Sequence, residues 1–312
     1  MTRTWLVGRG LLGSAVAQRL APGRLWVPSD PVRWSEPHRR DEDLRDATRR
    51  FFDVVGDGTW QVAWCAGAGV IGTSADQLAT EAEALTEALE AIAATQRSPG
   101  TVFLASSAGA VYAGSADPPF NESSPCVPLS PYGDAKLLQE ATATEWAAAT
   151  GNRLVIGRIA NIYGPGQDLG KAQGLVTQIC HSMVLRQPLM LYVPLDTVRD
   201  YVFVADCAAM AIEMLDQAHP TVPIGGTSIR IIATGRHTTI GSLLDVARRV
   251  SKRPLPLASV TSGLATMQSR DLRMAPLHPF PSTMVSTTLG QGVRSTFDDL
   301  VRQFQAGRLS RR

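Results

Sequence analysis

The chain has 312 residues, of which 44% are hydrophobic and 19% charged, with a formal net charge of +2. That length can bury an ample core in one large or two interlocked domains, and the balance excludes a disordered or fibrous chain. A charge so near zero gives no reason to expect nucleic acid or an acidic membrane surface as a partner.

Through the first two thirds, short apolar runs alternate with longer helical patterns, as a parallel sheet wrapped by helices requires. TWLVG (4–8) reads as a strand, SAVAQRL (14–20) as a helix and RLWV (24–27) as the second strand. The mixed-charge DEDLRDATRRFFDVV (41–55) is helical, QVAWCAG (61–67) extended and DQLATEAEALTEALEAIAAT (76–95) a long alanine-rich helix. TVFLAS (101–106), the helix AKLLQEATATEWAAAT (135–150) and RLVIGRI (153–159) continue the alternation. Alanine richness and apolar residues at helical spacing carry the two long helices.

After Gly164 the rhythm changes. PGQDLGKAQG (165–174) is a loop opening a helix at 175–186, and QPLMLYVPLDTVRDYVFV (187–204) is extended. DCAAMAIEMLDQA (206–218) returns to helix and IRIIAT (229–234) to strand. Prolines 254, 256, 276, 279 and 281 make the end loop-rich before a last helix near 287–306, and the tail GRLSRR (307–312) is a solvated end. The expected domains are 1–164 plus about 201–235, which bind a nucleotide, and a smaller one from 165–200 plus 236–312.

Cys65, Cys126, Cys180 and Cys207 have no CxxC spacing and read as small buried hydrophobes of a reducing compartment. The five histidines form no HxxxH pair, so no metal is expected. No apolar run approaches the roughly 18 residues of a spanning helix. Glycine-punctuated sequence from Gly8 is no signal-peptide pattern, and a cytoplasmic protein is expected.

Gly8-Arg9-Gly10-Leu11-Leu12-Gly13 closes the first strand and opens the first helix. In that context the glycines let the backbone approach a pyrophosphate, which the helix N-terminal amides and dipole then face. Asp30 follows Gly13 by 17 residues, where a carboxylate would accept bonds from the ribose hydroxyls of NAD; it is equally a turn aspartate before Pro31. Arg9 and Arg33 would instead favour a 2′-phosphate, which keeps NADP open beside NAD. Tyr132 precedes Lys136 by four residues, one helical turn on one face; by itself this is either a surface pair without a role or an ammonium placed to lower the pKa of a phenol.

Gly8 to Gly13, SSAGAVYAG (106–114), Tyr132-x-x-x-Lys136, RIANIYGPGQ (158–167) and RDYVFVADCA (199–208) occur in that order. Together they resemble the extended short-chain dehydrogenase/reductases, specifically the nucleotide-sugar epimerase/dehydratase group with its UDP-galactose 4-epimerase-like members. The resemblance covers about residues 4–235. It implies an α/β, Rossmann-type doubly wound parallel sheet with a smaller, interleaved C-terminal substrate domain.

It also implies that Tyr132 is the acid/base toward a sugar hydroxyl or carbonyl. Lys136 would then hold the nicotinamide ribose and keep the phenol acidic. A strand-end hydroxyl would bond the reacting oxygen; Ser107 is that residue, with Ser106 in reserve. Asn161 and Arg199 match positions near the substrate, Arg199 facing the diphosphate.

This chain departs from the pattern in four places. Ala108 stands four residues before Tyr112, where the family's hydroxyl lies, and Ser107 stands five before. Glu81 sits about where the family often has Asn, and Val7 replaces an extra glycine. Gly109 and Ala110 occupy the places where a 4,6-dehydratase has acidic side chains, which speaks against that reaction.

The expected function is epimerisation of a nucleotide-activated sugar, at C4, with bound NAD. The alternatives are an NAD(P)H-dependent ketoreductase and, in another class, a non-catalytic dinucleotide-binding protein. The resemblance further implies a homodimer through the helices around 76–95 and 135–150.

Overall fold

The computed structural model describes residues 1–170, 174–259 and 269–309. Residues 171–173 of the expected loop and 310–312 of the tail lie outside the described residues. The chain separates into two compact units, one of Met1–Ser107, Ser130–Arg158 and Ala211–Arg230, the other of Ala108–Leu129, Ile159–Met210 and Ile231–Arg312.

The first unit alternates strand and helix. Its elements are β1 (Arg3–Val7), α1 (Leu11–Arg19), β2 (Leu25–Trp26), α2 (Pro37–Val55), β3 (Trp60–Trp64), α3 (Ala75–Thr95) and β4 (Thr101–Ser107). A single-turn α4 (Ala108–Val111) leaves the end of β4, and α5 (Pro131–Thr150) leads to β5 (Arg153–Ile159). β3 is buried at every position, as a central parallel strand covered on both faces must be. β2 is shorter than its apolar run suggests, because Pro28 has no N–H to continue the ladder.

Two helices begin earlier than their charged or alanine-rich stretches indicate, each with proline in the first turn. Pro37 opens α2, and Pro131 opens α5 behind Ser130, whose Oγ accepts from the Gly133 N–H at 3.3 Å. The second start places Tyr132 inside the first turn of α5.

Helix α2 buries Leu44, Ala47, Phe51 and Phe52 and leaves its charges, Arg40 apart, exposed or half-buried. Phe51 is fully enclosed, with ring centroids 5.7 Å from Trp5, 5.2 Å from Trp26 and 5.3 Å from Phe52. Leu85, Leu89 and Ile92 of α3 and Trp146 of α5 join the same core.

The second unit contains β6 (Asn161–Tyr163), α6 (Leu175–Leu185), β7 (Leu189–Leu191) and β8 (Val198–Phe203). Helix α7 (Val204–Thr221) and β9 (Thr227–Ile232) follow, their residues 211–230 belonging to the first unit; the second unit resumes with β10 (His237–Thr239), α8 (Ile240–Ser251), β11 (Leu257–Ser259), β12 (Asp271–Leu272) and α9 (Leu289–Gln305). Tyr163, Ile179, Met183, Leu243, Leu244, Val293 and Phe297 build its core. Phe120 donates a main-chain bond to Arg273 and accepts one from Ala275, which is why 108–129 clusters here.

The large sheet has the order β2-β1-β3-β4-β5-β9. Its pairs β1–β2, β1–β3 and β3–β4 are parallel. With helices between successive strands, this is the expected doubly wound Rossmann-type arrangement.

The long extended stretch is two strands, β7 and β8, joined by Tyr192–Thr197. Helix α8 is an element not anticipated from the sequence. Its signal was present: Ile240, Leu243, Leu244 and Ala247 at helical spacing, capped by Thr239, whose Oγ1 accepts from the Ser242 N–H at 3.1 Å. Among the described residues, no helix is long and apolar enough to cross a membrane.

Phe51→Ala removes the ring at the centre of this aromatic cluster and is expected to cost about 3–5 kcal/mol. Chemical-denaturant unfolding measures it as a lower midpoint with an unchanged slope.

Candidate active site

The glycine run joins β1 to α1. Gly8 takes φ +87, and a Cβ there would stand 2.5 Å from the Ala66 main chain. A Cβ on Gly13 would collide with the Gly8 carbonyl oxygen, so the turn closes only with glycine at both places. Gly10, by contrast, has nothing within 4 Å of its Cβ position and serves as N-cap of α1, its amide end open to an approaching group. Arg9 is exposed, Leu11 half-buried and Leu12 buried.

The strand-end segment 65–69 connects this turn to α5. It packs on Gly8 through Ala66, and further along it meets Leu78, Glu81, Tyr132 and Lys136. The Cβ position of Gly67 lies 3.4 Å from Glu81 Oε2 and 3.7 Å from Lys136 Nζ. That of Gly69 lies 3.2 Å from the same Glu81 oxygen and 3.4 Å from Tyr132 Cδ2. Glu81 Oε1 accepts from the N–H groups of Ala68 and Gly69 at 2.6 and 2.7 Å.

Lys136 is only 7% exposed. Its Nζ donates to Gln139 Oε1 at 3.0 Å and to the Ala105 carbonyl at 3.4 Å, and lies 5.8 Å from the Tyr132 ring centroid. Burial pulls its pKa below the usual lysine range, while the charges of Glu81 and Glu140 push it back up. Burial likewise pushes the Tyr132 phenol up to about 12; a hydrogen bond with Ser107 opposes the rise, and the Glu81 charge adds to it.

The expectation that Lys136 keeps this phenol acidic is corrected here. Desolvation outweighs the other influences on the ring, and the group that lowers its pKa is Ser107. The i, i+4 spacing does bring the two side chains together, as expected.

The adjacent serines of β4 take different partners. Ser106 Oγ donates to Glu140 Oε1 at 2.5 Å, inside a buried ion pair that Glu140 forms with Arg158. The guanidinium reaches both carboxylate oxygens, with Nη2 to Oε2 at 2.7 Å and Nε to Oε1 at 3.1 Å. Ser107 is thus the serine that faces Tyr132. Gln139 and Glu140 are site residues that sequence reasoning missed; their signal was the three- and four-residue spacing from Lys136 on one helix.

Of the three charges that bear on cofactor choice, Asp30 and Arg33 are matched by α2, whereas Arg9 beside the glycine turn is exposed. Asp30 is exposed and accepts from Arg50 at 2.8 Å and from Ser29 Oγ at 2.9 Å, bonds that hold its carboxyl below the usual range. Arg33 forks onto Asp43 with bonds of 2.6 and 2.9 Å and lowers that carboxyl to about 2.

In the second unit, Asn161 Nδ2 donates to the Asp200 carbonyl at 3.0 Å. The Arg199 guanidinium is buried and donates to the carbonyls of Val198 and Arg270 at 2.8 and 3.5 Å.

A family model described as the NAD dependent epimerase/dehydratase family matches residues 8–225. The chain belongs to that family. The UDP-glucose 4-epimerase of Azospirillum brasilense is 29% identical over 165 residues, covering 48% of this chain and 46% of that protein. The dTDP-L-rhamnose 4-epimerase of Burkholderia thailandensis is 32% identical over 125 residues, 40% of this chain and 32% of that one. The chain thus spans less than half the length of these curated relatives.

The crystal structure of the Thermus thermophilus UDP-glucose 4-epimerase in complex with NAD superposes with a TM-score of 0.74 at 21% identity. That match covers 96% of this chain and 99% of the other. At that identity the likeness is one of fold.

Arg158→Met keeps the bulk of the stem but strands Glu140 without its cation. The expected cost is about 3–5 kcal/mol, read from denaturant unfolding, because an uncompensated charge is left buried.

Proposed function

We propose that the protein is a nucleotide-sugar epimerase that inverts a ring carbon, C4, with NAD held in the first unit. The observation that carries this reading is the segment 65–69, which touches the Gly8 turn at one end and the Tyr132–Lys136 pair at the other. A dinucleotide with its pyrophosphate on the α1 amides thereby has an acid/base within reach of its far end. The family membership and the 4-epimerases among its relatives support it.

The glycine turn fits the group, since Gly10 leaves open space at the helix N-terminus. Arg9, Leu11 and Leu12 flank it, Asp30 lies beyond the second strand, and Lys136 serves the ribose. NAD bound there supplies a hydride acceptor for the sugar carbon and, in return, the hydride that restores it.

Tyr132 takes the hydroxyl proton as the carbonyl forms and gives it back as the carbonyl is reduced, and Ser107 holds the phenol and the reacting oxygen together. Asn161 and Arg199 are the proposed substrate contacts, the buried guanidinium suiting a diphosphate. A cytoplasmic homodimer, paired through α3 and α5, belongs to the same reading.

Tyr132→Phe is expected to lower turnover about 10²- to 10⁴-fold, the contribution of a positioned acid/base, while NAD affinity stays near wild type. Retention of more than about a tenth of the activity contradicts the role, since a positioned acid/base contributes far more than that.

The reaction itself is tested by incubating the protein with UDP- and TDP-hexoses without added cofactor and following C4 by NMR. Inversion with no net absorbance change at ~340 nm is expected, because the reduced cofactor is reoxidised within each turnover. Absence of inversion there, together with stoichiometric oxidation of NAD(P)H in a second incubation supplied with it and a 4-keto sugar nucleotide, overturns epimerisation in favour of a ketoreductase.

A further inference from the structure

We infer that Glu81 is a positioning residue of this site: its carboxylate anchors the Gly67–Gly69 stretch and supplies the negative charge that faces Lys136 and Tyr132. The two oxygens divide these tasks. Oε1 is engaged by the N–H groups of Ala68 and Gly69 at 2.6 and 2.7 Å. Oε2 lies on the side of the same glycines that Lys136 Nζ and Tyr132 Cδ2 approach, within 3.2–3.7 Å of the same two Cβ positions.

A neutral amide would satisfy the two N–H groups equally well, so the charge itself needs another explanation. Lys136 provides it. A buried ammonium is costly without an opposite charge nearby. The groups facing Lys136 are Tyr132, Gln139, Glu81 and Glu140. Gln139 is neutral, and Glu140 is already held by Arg158 and Ser106. Glu81 is the carboxylate left to balance the ammonium, and it is the first of the two that raise the Lys136 pKa against burial.

A negative charge favours the protonated form of both a phenol and an ammonium, and Glu81 acts in that direction on Tyr132 as well. Removing it lowers both pKa values. The acid/base pair then deprotonates at lower pH, and the pH profile of turnover moves to the acid side.

This inference rests on the reading of Tyr132 and Lys136 as the acid/base pair, so its test has a readout independent of activity. Lys136, Lys171 and Lys252 are the chain's lysines. Labelling lysine with carbon-13 at Cε therefore gives a small set of NMR signals, assigned by Lys→Arg replacement at each position, whose midpoints are followed with pH. Glu81→Gln keeps an oxygen for the Ala68 and Gly69 N–H groups and removes only the charge.

The Lys136 midpoint is expected at lower pH in Glu81→Gln than in the wild type, with Lys252 unmoved, and the pH–rate profile is expected to follow. An unchanged Lys136 midpoint overturns the inference even if Tyr132→Phe is inactive. A shifted midpoint upholds it even if Tyr132→Phe remains active, an outcome that removes the proposed chemistry and leaves the charge assignment standing. Should Glu81→Gln fail to fold, Glu81→Asn removes the charge on a shorter side chain, and the same midpoint decides.

Discussion

The buried carboxylate of Glu140 fastens α5 to the sheet, and the geometry of the site depends on it. Arg158 approaches from β5 and Ser106 from β4, so one side chain ties a helix to two neighbouring strands. With both charges nearly sealed from water, each oxygen must be answered by a donor, and little freedom of rotation remains. Tyr132, Lys136 and Glu140 follow at four-residue intervals along one helix face. Clamping the last of them sets the direction in which the first two point.

Much of this was legible in the sequence, because the same forces act locally and globally in the first unit. The buried strands are short, mainly apolar runs, and the glycine turn needs the spacing it has. The rest depends on features that periodicity does not carry. Motif position put Ser107 first with Ser106 in reserve, but did not supply the reason: successive strand residues face opposite ways, and that alternation gives Ser106 to Glu140 and Ser107 to Tyr132. The start of α5 was hidden because its cap, Ser130 and Pro131, precedes the alanine-rich stretch that marks the helix. The acidity of the phenol was misjudged because an i, i+4 neighbour is visible in a sequence and desolvation is not.

Charge in the first unit is matched over short distances. Asp30 answers Arg50, Arg33 answers Asp43, and Arg158 answers Glu140. The exposed pairs contribute little to stability in water, whereas the buried one is held by the cost of separating it. Lys136 differs from all of these, being an ammonium that donates to an amide oxygen and a carbonyl oxygen. A charge whose hydrogen bonds go to neutral oxygens remains responsive to whatever else enters its surroundings.

The early start of α5 has a consequence for the phenol. Tyr132 lies in the first turn of a 20-residue helix. The aligned peptide dipoles give that end a positive potential, roughly half an elementary charge, which favours a phenolate. Side chains on a helix lean back toward its N-terminus, which brings the ring into that field. The cap formed by Ser130 and Pro131 thus does more than begin a helix: it places a weak acid at the positive pole of a fixed field directed against desolvation. The burial that raises the phenol's proton affinity and the potential that opposes it are thus both set by one helical turn.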